Sequence, residues 1–296
     1  MSNVLSVDDQ ISVIHHLVEG VSLRSITRMT GIHRTTVLKI LVKFGNACRE
    51  FLDGQMRGLE LHHLEIDEQW TFVQKKQGKL NDEQKDDPRI GDQYLWLAID
   101  MHTKLVPTFA VGKRSADNAR RFLVDLADRL ALPTATDTGE RPGIIPQLST
   151  DGFNAYPEAV DLAFGSYCRY GQIIKDYRNA DQPGRYGPPE MVGTERREVF
   201  GNVPLATICT SHAERFNLTT RTLLKRFTRL SLCFSKKLEN LVAAVAIYMA
   251  YYNFCWRPRE KGKAGRQRGT PAMMAGITGH PWSMDELFDR VMATAE

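Results

Sequence analysis

Three acidic residues constrain the fold of this chain more than any other feature. Asp67 lies within the apolar run 61–73, Asp151 directly follows the apolar run 144–149, and Glu214 opens a basic segment of helical period. A charge inside an apolar strand is costly unless it is solvated or bound to a cation. The motifs Glu65-Ile66-Asp67-Glu68, Ser149-Thr150-Asp151-Gly152 and His212-Ala213-Glu214-Arg215 are far apart in sequence. Only a folded sheet brings such carboxylates together.

The hydrophobic pattern supports a sheet. Residues 61–73, 94–100 and 105–111 are rich in apolar, aromatic and β-branched side chains and read as strands. The charged stretch 75–93 reads as an exposed hairpin loop between the first two. Residues 115–130 carry Phe122, Leu123, Leu126 and Leu130 at helical spacing, with Ser115 as a cap. A fourth strand over 144–149, a helix over 154–164 and a strand over 167–174 complete an α/β order with a mixed sheet, the order of the ribonuclease H-like fold. Residues 175–201, dense in Pro, Gly, Arg and Glu, are expected to form an irregular insertion. Helices follow over 211–230 and 236–252, the second with an apolar, Tyr-rich face that reads as core.

Ahead of the sheet, residues 8–18, 22–29 and 33–44 read as three short helices, with Ser22 as an N-cap and Gly31 in the tight turn before the third. This is helix-turn-helix spacing. Val37, Leu38, Ile40, Leu41 and Phe44 would face inward, leaving Arg34, Thr35, Thr36, Lys39 and Lys43 free to touch DNA. The net charge of +4 is small but unevenly placed: residues 20–49 and 215–238 are each rich in Lys and Arg and contain no acid. Such clustering is the footprint of a polyanion partner.

At 296 residues and 42% hydrophobic content, the chain can bury a sizeable core. The longest apolar stretch, 238–252, is interrupted by Glu239 and Asn240, so no membrane span is expected. With no secretory signal visible, the expected location is cytoplasmic and nucleoid-associated. Five scattered cysteines without a C-x-x-C pair argue against a disulfide framework and a structural zinc site, and read as buried small hydrophobes.

Asp67, Asp151 and Glu214 suit a phosphodiester chemistry that uses two hard divalent cations. Magnesium prefers a few carboxylates and retained waters, with no need of His or Cys. Asp100 and Asp117 are competing acids, of which Asp100, before the turn His102-Thr103-Lys104, reads as an ordinary turn acid; His62, His63 and His212 are weaker candidates as ligands, and His212 reads as a surface or packing residue with a contact to DNA phosphate as the alternative.

The blocks Ile66-Asp67-Glu68-Gln69-Trp70, Thr150-Asp151-Gly152 with Tyr156, and Glu214-Arg215-Phe216-Asn217-Leu218, followed by Arg221 and by Ser231-Leu232-Cys233-Phe234-Ser235-Lys236, resemble the catalytic blocks of bacterial DDE transposases of the insertion-sequence-one type. The resemblance covers residues 65–252. It implies a ribonuclease H-like core on which Asp67, Asp151 and Glu214 bind two Mg2+ ions, with Mn2+ as a substitute. It also implies DNA contacts at Asn217 and Arg221; independently of it, Arg221 and Lys225 lie on nearly the same face of the Glu214 helix, where they could hold the scissile strand beside the metals. Founding members carry an N-terminal zinc-binding segment, whereas this chain has no cysteine before Cys48, so no zinc is expected. The interval from Asp151 to Glu214 is also longer here, with 175–201 as the apparent insert.

The expected organisation is a helix-turn-helix domain over 1–50, a catalytic domain over 59–256, and a basic C-terminal tail with a short helix over 257–296. The expected function is a transposase that binds the terminal inverted repeats of its element, as a homo-oligomer on double-stranded DNA, and cleaves and joins strands. The alternatives are a nuclease that cuts without joining and a DNA-binding regulator or inactive domesticated element.

Overall fold

A computed structural model of the chain describes residues 5–133, 143–178, 190–229, 231–259 and 265–294. It is an α/β protein with a six-stranded mixed sheet flanked by helices. Three helices come first: α1 (Val7–Val18), α2 (Leu23–Thr30) and α3 (Arg34–Gln55). The Ser22 side chain accepts from Ser25 N, and Gly31 closes α2 at φ 72°, a left-handed position that favours glycine. Helix α3 is longer than its expected span and runs past residue 50. It packs along α8 (Leu238–Phe254), where a Cβ on Gly45 would come within 2.5 Å of the Ala243 Cβ. The hydrophobic core is therefore continuous from α1–α3 into the sheet.

Strands β1 (His63–Val73) and β2 (Gly91–Asp100) pair antiparallel, with the short helix α4 (Asp82–Lys85) in the loop between them. Strand β3 (Phe109–Gly112) lies outside β2, and α5 (Ala116–Ala127) begins at the Ser115 cap. Strand β4 (Gln147–Asp151) runs parallel to β1; helix α6 (Tyr156–Phe164) and strand β5 (Arg169–Arg178) follow, β5 parallel to β4. With the sixth strand, β6 (Glu190–Phe200), the sheet order is β3-β2-β1-β4-β5-β6.

Two expectations are corrected. Residues 175–201 are not an irregular insertion: β5 runs on to Arg178, and β6 (Glu190–Phe200) pairs antiparallel with it at the sheet edge. Residues 179–189 lie outside the described set. As an edge strand rich in charge, β6 lacks the apolar alternation that betrays a strand. The C-terminal region is not a tail either, because α9 (Pro271–Met274) packs on α8, and α10 (Met284–Thr294) packs on α3, α1 and α8. Phe288 stacks on Phe44 at 5.4 Å and Trp282 on Phe254 at 4.1 Å, so these aromatics form core.

Candidate metal and polyanion cleft

The pleat of β1 decides which side chains meet which helix. Glu65, Asp67, Gln69 and Thr71 face α7 (Ser211–Leu223) and the turn after it. The intervening residues face the other layer: Glu68 pairs in register with Trp96, which contacts Phe122 of α5 and Tyr156 of α6. Strand β4 pairs with β1 only from His63 to Glu65 and stops at Asp151, so among the described residues β1 has no strand partner on that side from Ile66 until Val73 bridges to Ser235. The opening, at the carboxyl end of β4, is where ligands bind in open α/β sheets.

A cleft of about 840 Å³ fills this opening, and Asp67, Glu68, Asp151 and Glu214 all line it. The three predicted acids are thus brought together, with a fourth that sequence reasoning passed over. Carboxylate oxygens of Asp67, Glu68 and Asp151 lie within 4.8 Å of one another. Glu214 stands apart from this trio: its Oε1 is ion-paired with Lys175 of β5 and accepts from Thr210 Oγ1 at 3.1 Å.

Each acid is held differently. Asp67 Oδ1 accepts from Glu68 N at 2.9 Å and Oδ2 from Asn217 Nδ2 at 2.7 Å. Asp151 Oδ1 accepts from Phe153 N at 3.0 Å in a local turn, while Arg114 reaches Oδ2 at 3.3 Å and Glu68 Oε1 at 3.5 Å. The Arg114 guanidinium lies over the Phe153 ring, 4.1 Å from its centroid. The Glu68 side chain is only 2% exposed, and its Oε1 has no hydrogen-bond partner.

This crowding sets the electrostatics. Burial, reinforced by the Asp151 charge, pushes Asp67 up to about 6 and Glu68 up to about 8. Burial works against the Lys175 charge, but its bond to Glu214 prevails and holds it above the usual lysine value. Burial, then the neighbouring Arg229 charge, lowers Arg221. Arg221 and Arg229 both line the cleft, and the buried Arg221 Nε has no hydrogen-bond partner. The acids thus crowd one another, and the same cleft holds a donor, Arg221 Nε, that no group among the described residues satisfies.

Of the residues expected to touch DNA, Arg34, Thr35, Lys39, Lys43 and Lys225 are exposed, and Thr36 and Arg221 half-buried. Asn217 is buried: its amide serves Asp67, and its carbonyl accepts from Gln69 Nε2 at 2.9 Å. Asp100 is the turn acid expected, accepting from His102 N, Thr103 N and Thr103 Oγ1. His212 packs against Glu65. The cysteines depart from expectation: Cys48 and Cys168 are buried, but Cys209 and Cys255 are half-buried and Cys233 is exposed; all five are free thiols. Cys233 and Cys209 lie between regular elements, outside the helical period that buries Cys48 on α3.

Sequence reasoning missed Glu68, Arg114, Lys175 and Arg229. Glu68 carried a usable signal as a second acid in an apolar run, and Lys175 was hidden in the presumed insertion. Among the described residues, no helix is long and apolar enough to cross a membrane. No family model matches the chain, and no curated protein matches it.

Proposed function

We propose that this chain is a DDE-type DNA transposase of the insertion-sequence-one kind, with a ribonuclease H-like core preceded by a helix-turn-helix. One observation carries the reading: Asp67, Asp151 and Glu214, remote in sequence, line a single cleft that also holds Lys175, Arg221 and Arg229. The strand order β3-β2-β1-β4-β5, with β2 antiparallel and β4 and β5 parallel, supports the fold assignment. The exposed cations of α3 support a DNA-binding role for the N-terminal helices.

The donor set fits a hard divalent cation. Its acids are all oxygen donors, two of them with proton affinity raised by burial and by the Asp151 charge, and Glu68 Oε1 is buried without a hydrogen bond. Asp67, Asp151 and Glu214 would hold two Mg2+ ions, or Mn2+ in their place. When bound, such ions supply charge that activates the attacking oxygen and stabilises the leaving one in an in-line displacement.

The chain's own groups do the rest. Asn217 holds Asp67, Arg114 holds Asp151, and Arg221 and Arg229 bind the phosphates of the strand to be cut. Lys175 moves from Glu214 to the same backbone as the carboxylate is engaged. Water attacks the phosphorus at each element end, and the departing 3′ oxygen takes a proton to become a hydroxyl. That hydroxyl then attacks a target phosphodiester and displaces the target strand's own 3′ oxygen, which leaves as a hydroxyl, so that the element end is joined to the target 5′ phosphate, with the protein working as a homo-oligomer on paired ends in the nucleoid.

The test is a cleavage and joining assay with labelled element ends, in Mg2+ or EDTA, comparing the natural chain with Asp151→Ala. Mg2+-dependent nicking and joined products, both lost in the variant, are expected. Nicking without joining would point to a nuclease. Metal-independent binding by folded protein, without cleavage, would point to a regulator.

A further inference from the structure

The four side chains of β1 that face α7 form a ladder of hydrogen bonds. Thr71 Oγ1 donates to the carbonyl of Arg226 at 2.8 Å, Gln69 to that of Asn217, and Asp67 accepts from the Asn217 amide. At the other end, the Glu65 carboxylate sits at the N-terminus of the helix. Its Oε2 accepts from His212 N at 2.7 Å and Ala213 N at 2.9 Å, and its Oε1 from His212 Nδ1 at 2.8 Å.

Helix N-termini carry unpaired N–H groups, and a side chain of the preceding residue usually caps them. Here the N-cap residue Thr210 makes no such bond, and its hydroxyl is turned to Glu214. The cap comes instead from a strand remote in sequence. Glu65 is 2% exposed and stands two residues before Asp67, while its partner His212 stands two residues before Glu214. A bond between these points fixes both the rotation of α7 and its advance along β1.

We propose that Glu65 is a positioning residue of the cleft: by capping α7 from β1 it sets Glu214 and Asn217 over Asp67. This inference rests on the metal-site reading above. Glu65 is not among the residues lining the cleft and acts through the helix. Both its oxygens accept from donors at the start of α7, two of them the backbone N–H groups of His212 and Ala213.

The test compares the natural chain with Glu65→Ala and Glu65→Gln; the second keeps an acceptor for the two backbone N–H groups and safeguards against misfolding. In metal-free protein, amide exchange at residues 212–216 should rise at least tenfold in Glu65→Ala and less in Glu65→Gln, with the amides of β2 unchanged. Mn2+ affinity should fall about tenfold in Glu65→Ala, again with partial rescue by Gln, and kcat for nicking should fall with KM for DNA unchanged. Natural affinity and natural exchange in both variants would overturn the proposal, as would equal loss of protection in β2 and α7, which marks a general folding role. A natural chain that binds no Mn2+ would instead overturn the metal-site reading on which it rests.

Discussion

Replacing Glu68 with Gln should stabilise the metal-free protein, although it removes a carboxyl group from the candidate site. Glu68 is pushed from 4.5 up to about 8 by burial and then by Asp151. At pH 7 the folded chain holds this carboxyl protonated, while the unfolded chain ionises it. Because the folded value is the higher one, the associated stability is full below pH 4.5 and is lost as pH rises to about 8. By pH 7 the loss amounts to about 3 kcal/mol, at roughly 1.4 kcal/mol for each pH unit above the unfolded value. Gln is neutral in both states and escapes it. In EDTA, Glu68→Gln should therefore melt on the order of 5–10 °C above the natural chain at pH 7–8, the difference vanishing near pH 4. Saturating Mn2+ should reverse the order, because a ligand that binds only the folded state stabilises the tighter-binding chain more. Thermal melts from pH 4 to 8, with Mn2+ or EDTA, read both effects. A difference in melting temperature that does not grow with pH in EDTA would refute the burial argument.

Two further outcomes follow from other parts of the molecule. Lys39→Ala with Lys43→Ala should weaken DNA binding about equally for all sequences and reduce the slope of log affinity against log salt by roughly 2, as expected when two phosphate contacts are lost; an unchanged slope in a fluorescence titration would remove α3 from the interface. Phe288→Ala should cost about 3–5 kcal/mol in urea unfolding, because the ring is buried and stacked on Phe44; a loss below ~1 kcal/mol would show that α10 is not integral to the core.

The parts of the fold that were legible in the sequence are those where one face is apolar. Strands β1 and β2 and helix α5 each bury a face, so their periods could be read, and Ser22 and Ser115 announced their caps. Strand β6 could not be read, because an edge strand satisfies its backbone on one side only and faces solvent with Glu195, Arg196, Arg197 and Glu198. Helix α10 answers to the short helix expected after residue 257, but the basic stretch before it hid that its Leu287, Phe288 and Val291 stripe docks on the core. The cleft shows a deeper reason for the partial reading. Alternation along a strand sends neighbours to opposite faces, so Asp67 argues against a shared site with Glu68. They share one because β4 ends at Asp151 and leaves the edge of β1 open, letting carboxylates from both faces meet around the strand. Where a neighbouring strand stops is a property of tertiary pairing that no local period encodes. The separate acids were therefore visible one motif at a time, while the charge they share, and the Arg114 and Lys175 side chains that answer it, emerge only when the sheet is closed.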